Sequence, residues 1–261
     1  MSAPIAVLSG ASGGIGAHIA RQLASRSYRL VLLGRDVDAL HALQRELPSA
    51  EQSFHIALQV DLANDADMSR VIELIHDIGR CDLLVNNAGV NAMVPFTSLS
   101  REELDATLAV NIRAPMLLSQ GLLPILAQNN GVIVNVGSSF GAIGYPMQAH
   151  YCASKFALRG FSEALARELS DTSVQVKYFA PRATQTAINS DKVTALNKAL
   201  GNAMDTPEYV AKEFMHLLDS TERRRSVGAK ESFFAKINAL WPKVVDNALA
   251  KQLSTIKQYM R

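Results

Sequence analysis

Ile5-Ala6-Val7-Leu8-Ser9-Gly10-Ala11-Ser12-Gly13-Gly14-Ile15-Gly16 is the stretch whose reading decides the fold. Residues 5–8 form a short apolar run, the pattern of a strand buried on both faces. Over residues 14–25 the period changes, and Ile15, Ile19 and Leu23 recur on one face of a helix. The turn between them is rich in glycine. Glycines there permit a tight bend and let the backbone approach a pyrophosphate, which the free N–H groups and partial positive charge of a helix N-terminus can hold. Gly10, Ser12, Gly13, Gly14, Ile15 and Gly16 are therefore candidate cofactor-binding residues. A plain tight turn is the competing reading of the glycines alone, and the strand-turn-helix context weighs against it.

The alternation continues outward from this unit. Strands are expected at residues 30–33, 54–60, 83–85, 132–136 and 174–179. Helices are expected at 37–47, 68–78 and 151–169, with another starting at Thr206-Pro207. Ser100 and Glu103 have capping-box spacing and should open a long helix that is interrupted near Pro115 and ends before Gly131. Strands alternating with helices imply a parallel sheet covered on both faces. With right-handed crossovers this is an α/β, doubly wound, Rossmann-type fold. It is expected as one domain over residues 1–220, followed by a basic amphipathic helical extension over 221–261.

Ligands in such sheets bind beyond the carboxyl ends of the strands, so those ends carry the chemistry. The second strand ends Leu33-Gly34-Arg35 with no carboxylate at its tip. Arg35 can offer a planar cation to a 2′-phosphate. NADP(H) is the expected cofactor and NAD(H) the alternative, because Asp36 follows immediately and Arg35 also reads as an exposed helix-start residue. Asp61-Leu62 ends the third strand, where a carboxylate can reach an adenine amino group or simply cap a helix. Asn86-Asn87-Ala88-Gly89 ends the fourth, and its amides can bridge strands or face the cofactor. Tyr151 and Lys155 stand one helical turn apart, on one face. A free tyrosine is a poor acid–base catalyst at neutral pH. A lysine cation beside it, or a cationic nicotinamide ring, would lower its pKa.

Taken in order, the glycine turn, Asp61, Asn86 to Gly89, Asn111, Ser138, Tyr151 and Lys155 resemble the short-chain dehydrogenase/reductase family, over about residues 5–218. The step from Ser138 to Tyr151 matches the family's catalytic serine and selects Ser138 over Ser139. The resemblance implies that Ser138 and Tyr151 hydrogen-bond a substrate oxygen and that Tyr151 is the general acid/base. It also implies that Lys155 lowers the Tyr151 pKa and binds the nicotinamide ribose, and that Asn111 holds a water in a proton relay. Asn87, Ala88, Gly89, Tyr151, Lys155, Pro181, Thr184 and Thr186 complete the implied cofactor contacts. Arg182 departs from the pattern, standing where the family has glycine. It is expected to bind a substrate carboxylate or the cofactor diphosphate, or to point outward. The resemblance further implies a homodimer or homotetramer.

The implied activity is NADPH-dependent reduction of a ketone or aldehyde to an alcohol. A regulatory NAD(P)-binding protein that keeps the fold is the alternative, which intact Ser138, Tyr151 and Lys155 disfavour. Gly141, Ile143, Tyr145, Met147 and His150 are candidate pocket residues, with His150 weighed as packing. Residues 187–205 fall where the family keeps its substrate loop. Two cysteines, Cys81 and Cys152, lack metal-ligand spacing and a disulfide framework, so no metal site and a cytoplasmic setting are expected. No signal peptide, no bilayer-spanning run and no nucleic-acid motif are expected. From residue 222 onward nine Lys/Arg face three Asp/Glu, which leaves the rest of the chain net acidic. The tail's apolar residues recur at helical spacing between lysines, and Pro242 should split it. Packing on the domain or on a second subunit is the common explanation. A lid or interfacial helix for an acyl or lipid-like substrate, with peripheral membrane contact, is the sharper one.

Overall fold

Strand β1 (Ile5–Ser9) is buried along its whole length, as an unbroken apolar run requires. The structure, a computed structural model, describes residues 3–48 and 54–260. Around β1 stand β2 (Arg29–Gly34), β3 (Ile56–Gln59), β4 (Leu83–Asn86), β5 (Val132–Val136), β6 (Gln175–Ala180) and β7 (Arg224–Ser226). Their order is β3-β2-β1-β4-β5-β6-β7, with every pairing parallel. The helices, in chain order, are α1 (Gly14–Ala24), α2 (Val37–Glu46), α3 (Asp65–Ile78), α4 (Arg101–Leu108), α5 (Ala114–Gln128), α6 (Ala149–Glu168), α7 (Asp191–Ala199), α8 (Pro207–Asp219), α9 (Ala229–Leu240) and α10 (Pro242–Tyr259).

Alternation along β1 builds two cores. Ala6 and Leu8 join Ile19 and Leu23 of α1 and Phe214 of α8 on one face. Ile5 and Val7 join Val71 and Ile75 of α3 and Leu118 and Leu122 of α5 on the other. This is the doubly wound Rossmann-type sheet, and its strand order reverses direction between β1 and β4. That switch point opens the crevice in which such folds bind ligands.

Helix starts follow their caps. Asp36 accepts from Ala39 N at 2.9 Å to open α2, and Ser100 with Glu103 forms the full capping box of α4. Thr206 caps α8, with Pro207 in its first turn. The break expected near Pro115 is a π turn at Ala109–Arg113, after which Pro115 sits in the first turn of α5, where a missing N–H costs nothing. Helical structure is thus continuous over Arg101–Gln128, and by length and composition this stretch could cross a membrane. That departs from the expectation of no such run. The stretch covers the sheet instead, with Leu118, Leu122 and Leu126 buried.

Three other expectations need correction. Phe54 is exposed and lies outside β3, which as an edge strand pairs on one side only. Residues 191–199 form α7, capped by Ser190, within the stretch expected as loop. The sheet also runs past residue 220. Arg223 to Arg225, expected as a solvated charge run, supply β7, whose backbone pairs with β6 while Arg224 and Arg225 reach Glu163 and Glu213. The chain then continues into α9 and α10, which meet at Trp241-Pro242 as the proline dictates.

Candidate active site

The turn after β1 is shaped as a cradle. Gly10 has φ +64°, and a Cβ there would approach Ala88 Cα to 2.9 Å. A Cβ on Gly16 would lie 2.1 Å from Gly10 O, so only glycine lets α1 pack this close to the turn. Gly13 caps α1 without any side-chain hydrogen bond, which leaves the first-turn N–H groups of Gly14, Ile15 and Gly16 free to take an anion. Ser9 Oγ accepts from Asn87 N and Ala88 N, both at 3.0 Å. Asn87 Nδ2 donates to Ser9 O at 3.0 Å and Gly10 O at 3.1 Å. These bonds tie the end of β4 to the turn across the switch point. The donor set and the cleared backbone fit a dinucleotide diphosphate.

At the tip of β2 the two neighbouring charges have different tasks. Asp36 is spent on the α2 cap, whereas the exposed Arg35 has no ion-pair partner among the described residues. Ser12 Oγ would lie 3.3 Å from a Cβ on Gly34, so Ser12 stands beside the same strand end. Asp61 Oδ1 accepts from Ala63 N at 3.0 Å, a local turn bond that still leaves the exposed carboxylate an open oxygen; Leu62 is buried behind it.

β5 delivers Ser138 to the opposite side of the crevice, and α6 brings Tyr151 and Lys155 to it. Ser138 hydrogen-bonds the Tyr151 phenol. Lys155 Nζ donates to Val136 O at 3.1 Å and lies 5.7 Å from the centre of the Tyr151 ring. Phe140 meets Tyr151 edge-on and stacks on Tyr145. Burial raises the Tyr151 pKa, and the Ser138 hydrogen bond only partly offsets it. Burial also pushes the Lys155 ammonium down to about 8. The expected depression of the Tyr151 pKa by Lys155 is thus overridden by desolvation in the protein alone.

The Lys155 shift has a measurable consequence. Between pH about 8 and the ordinary 10.5, an unfolded Lys155 carries a proton that the folded one has lost. Stability from this group therefore rises with pH across that window, and below it the buried charge costs about 3 kcal/mol in full. Urea unfolding of wild type and Lys155→Met at several pH values from 7 to about 10 should show the wild type gaining on the variant. Parallel curves would refute the assignment.

Asn111 sits fully buried in the π turn. Its Oδ1 accepts from Val90 N at 2.8 Å, and its Nδ2 donates to Val90 O at 2.9 Å and Ser154 Oγ at 3.1 Å. Both amide hydrogens are used, so toward a relay water the side chain can only accept.

Comparison with known proteins agrees with this geometry. A family model described as short chain dehydrogenase matches residues 4–197. The chain belongs to the short chain dehydrogenase family. It is therefore an oxidoreductase of that type. It is 34% identical to a 3-oxoacyl-[acyl-carrier-protein] reductase of Bos taurus, over 81% of this chain and 89% of that one. A metagenomic short-chain oxidoreductase in complex with NADP is 33% identical, with TM-score 0.72 over 87% of this chain and 97% of that one. A 3-ketoacyl-(acyl-carrier-protein) reductase from Brucella melitensis complexed with NADH is 25% identical, with TM-score 0.75 over 86% and 96%.

Several contacts in this dehydrogenase lie outside what its motifs announce. Asn86 and Asn87 take the two tasks left open for them: Asn87 locks the glycine turn, and Asn86 Nδ2 bridges to Asn135 Oδ1 at 2.8 Å. Asn135 Nδ2 then donates to Ser162 Oγ at 2.9 Å. Tyr178 of β6 fills the space beside Gly137 and Gly141, with its hydroxyl 3.5 Å from both Ser138 N and Ser138 O. A hydroxyl-tipped aromatic in a buried strand needs a partner, and that was the available signal. Gly141 is consumed in this packing and does not line a pocket. His150 is buried with Nε2 unbonded and its pKa lowered by burial, consistent with a packing role. Met147, with φ +62°, holds a strained backbone four residues before the catalytic tyrosine.

Arg182 does none of the things expected of it. Its Nε and Nη2 donate to Asp205 at 2.8 and 2.7 Å, and Nη1 lies 3.4 Å from Glu231 of α9. It is absent from the positive-φ residues, so the loop accommodates it without strain. Downstream, Thr184 Oγ1 donates to Arg182 O at 2.9 Å, and Thr186 Cγ2 packs on Gly14 at the cradle. Pro181 O accepts from Ser139 N at 3.0 Å. The segment after β6 thus touches both the diphosphate cradle and the serine loop. Asn238 of α9 donates to Ala142 O at 2.9 Å, and α10 walls a cavity of about 480 Å³ with Tyr145, Pro146 and Cys152. This cavity opens beside the Ser138–Tyr151 pair, not at it.

Proposed function

We propose that the protein is an NADPH-dependent carbonyl reductase that converts a ketone or aldehyde to an alcohol. One observation carries the reading. Ser138, Tyr151 and Lys155 converge at the carboxyl edge of the sheet, across the switch point from an uncapped helix N-terminus. Ser138 and Tyr151 present hydroxyls to one substrate oxygen. Because burial raises its pKa, Tyr151 is protonated at neutral pH, the state a general acid needs for reduction. Lys155 keeps a positive charge beside the phenol, steadying the phenolate that forms when the proton leaves, and reaches toward the nicotinamide ribose. Asn111 accepts from a relay water that returns the proton.

Gly10 to Gly16 hold the diphosphate, with Asn87, Ala88, Gly89, Pro181, Thr184 and Thr186 along the nicotinamide half and Asp61 and Leu62 at the adenine. Bound NADPH supplies the hydride. Arg35, free of partners beside a committed Asp36, favours the 2′-phosphate. The printed names of relatives make 3-oxoacyl thioesters the first substrates to try. Exposed Leu108, Met116 and Phe156 on neighbouring helices α4 to α6 support a homodimer or homotetramer. We place the protein in the cytoplasm, where two buried free thiols persist, with the C-terminal extension making peripheral membrane contact.

Purified protein should oxidise NADPH with members of a panel of short ketones, steroids and 3-oxoacyl thioesters. Arg35→Glu should shift the NADPH:NADH ratio of kcat/KM toward NADH by about 10- to 100-fold, the worth of a charged hydrogen bond or two. Cofactor binding without turnover across the panel would sink the reductase reading, and an unchanged ratio would sink the role of Arg35.

A further inference from the structure

The C-terminal helices do not spend their whole apolar face on the domain. Val245 and Ile256 are buried, and Phe234, Ile237, Leu249 and Leu253 are half-buried. That uses up most of the face read from the sequence pattern. What remains is the elbow where α9 meets α10. Phe233, Leu240, Trp241 and Val244 are 63%, 67%, 61% and 55% exposed. Phe233 and Leu240 stand seven residues apart, two turns along one stripe of α9, and Trp241 and Val244 carry the stripe round the bend.

Lysines surround this projection. Lys236 lies between Phe233 and Leu240 on the same stripe, and Lys230 and Lys243 stand at its ends. All three are exposed, and none has an ion-pair partner among the described residues. The α9 carboxylate, Glu231, is turned inward to Arg182; Asp246 on α10 is the one exposed acid nearby. A chain that is otherwise net acidic thus concentrates unpaired cations around an exposed indole and three aliphatic or aromatic side chains. Large side chains ringed by cations are complementary to the headgroup boundary of an anionic bilayer, where amphipathic rings and lysine stems both find a suitable medium.

We propose that the α9–α10 elbow docks on an anionic lipid surface. Phe233, Leu240, Trp241 and Val244 enter the headgroup boundary, and Lys230, Lys236 and Lys243 lie against the phosphates. The proposal rests on the peripheral-contact reading alone and stands apart from the chemistry at Tyr151.

Trp241 is the chain's single tryptophan, so its emission reports on the elbow itself. Full-length protein is mixed with vesicles of phosphatidylcholine alone or of phosphatidylcholine with phosphatidylglycerol. Co-sedimentation and a blue shift of Trp241 emission are expected with the mixed vesicles only, and salt should reverse both. The triple variant Lys230→Glu, Lys236→Glu, Lys243→Glu should bind on the order of 100-fold more weakly or worse, since each lysine near such a surface is worth severalfold. Leu240→Asp should lose the blue shift. Both variants should keep the wild-type melting temperature, because no altered side chain is buried.

Mixed vesicles that carry down no protein, or binding undiminished in the triple variant, would overturn the proposal. So would a Trp241 already blue-shifted without vesicles in a larger assembly that Leu240→Asp dissociates, which would make the elbow a contact between copies. Turnover of a water-soluble ketone is measured alongside. Docking without turnover supports this inference and counts against the reductase reading alone.

Discussion

Tyr151→Phe is expected to lower kcat by about 10²- to 10⁴-fold, the usual worth of a positioned general acid, while cofactor affinity stays near wild type. In free energy the loss is about 3–5 kcal/mol of barrier. The substitution removes one oxygen and keeps the ring, so the edge-on packing against Phe140 and the contact with Lys155 survive. It leaves Ser138 Oγ with its bond from Phe140 N at 3.1 Å, so the serine loop should hold its place. A folded variant with a wild-type melting curve and little turnover is therefore the predicted result. Ser138→Ala should cost less alone, and the two losses should not add, because both hydroxyls serve one substrate oxygen. A Tyr151→Phe enzyme running at wild-type rate would show that another group supplies the proton.

Arg182→Ala is expected to lower stability to urea by about 2–3 kcal/mol, at the lower edge of what breaking a buried ion pair costs because Arg182 keeps 22% of its side chain exposed. The larger part of that cost falls on Asp205. Its side chain is 8% exposed and would lose both guanidinium bonds while remaining under the same cover. Asp205→Ala on top of Arg182→Ala should then recover part of the loss, giving a clear coupling in a double-mutant cycle. Glu231→Gln, acting at 3.4 Å from Nη1 and nearer solvent, should cost under about 1 kcal/mol. An Arg182→Ala protein with an unchanged unfolding midpoint would mean that the pair contributes nothing net.

The parts of this site that were legible in the sequence are those whose cause is local. A glycine turn between a strand and a helix states its own geometry, and two residues four apart on a helix must share a face. Asp36 and Ser100 announce their caps by side-chain chemistry three residues from the groups they bind. The illegible parts depend on residues distant along the chain. Arg182 gains its meaning from Asp205 and Glu231, and no local pattern joins them. Tyr178 and Asn135 are polar atoms in apolar runs, and their partners are known only once β4, β5 and β6 stand side by side. Three successive arginines resemble a solvated run, yet an edge strand has one open flank and tolerates charge, and here acidic side chains of α6 and α8 meet it. α7 escaped notice because Leu196 alone among its side chains is buried, too weak an apolar signal to set a period.

Drawing the last strand from residues 224–226 has a consequence for how the chain is made. A ribosome releases the amino end first, and every strand from β1 to β6 emerges before β7. Until then β6 presents an open row of backbone donors and acceptors to the cytosol, a template on which another nascent chain can pair. The arginines of β7 close that row late in synthesis, and α9 and α10 follow. A shortened gene product ending near residue 220 would therefore keep the catalytic residues while carrying a permanently unfinished sheet, and its failure would show as insoluble material before any assay of chemistry.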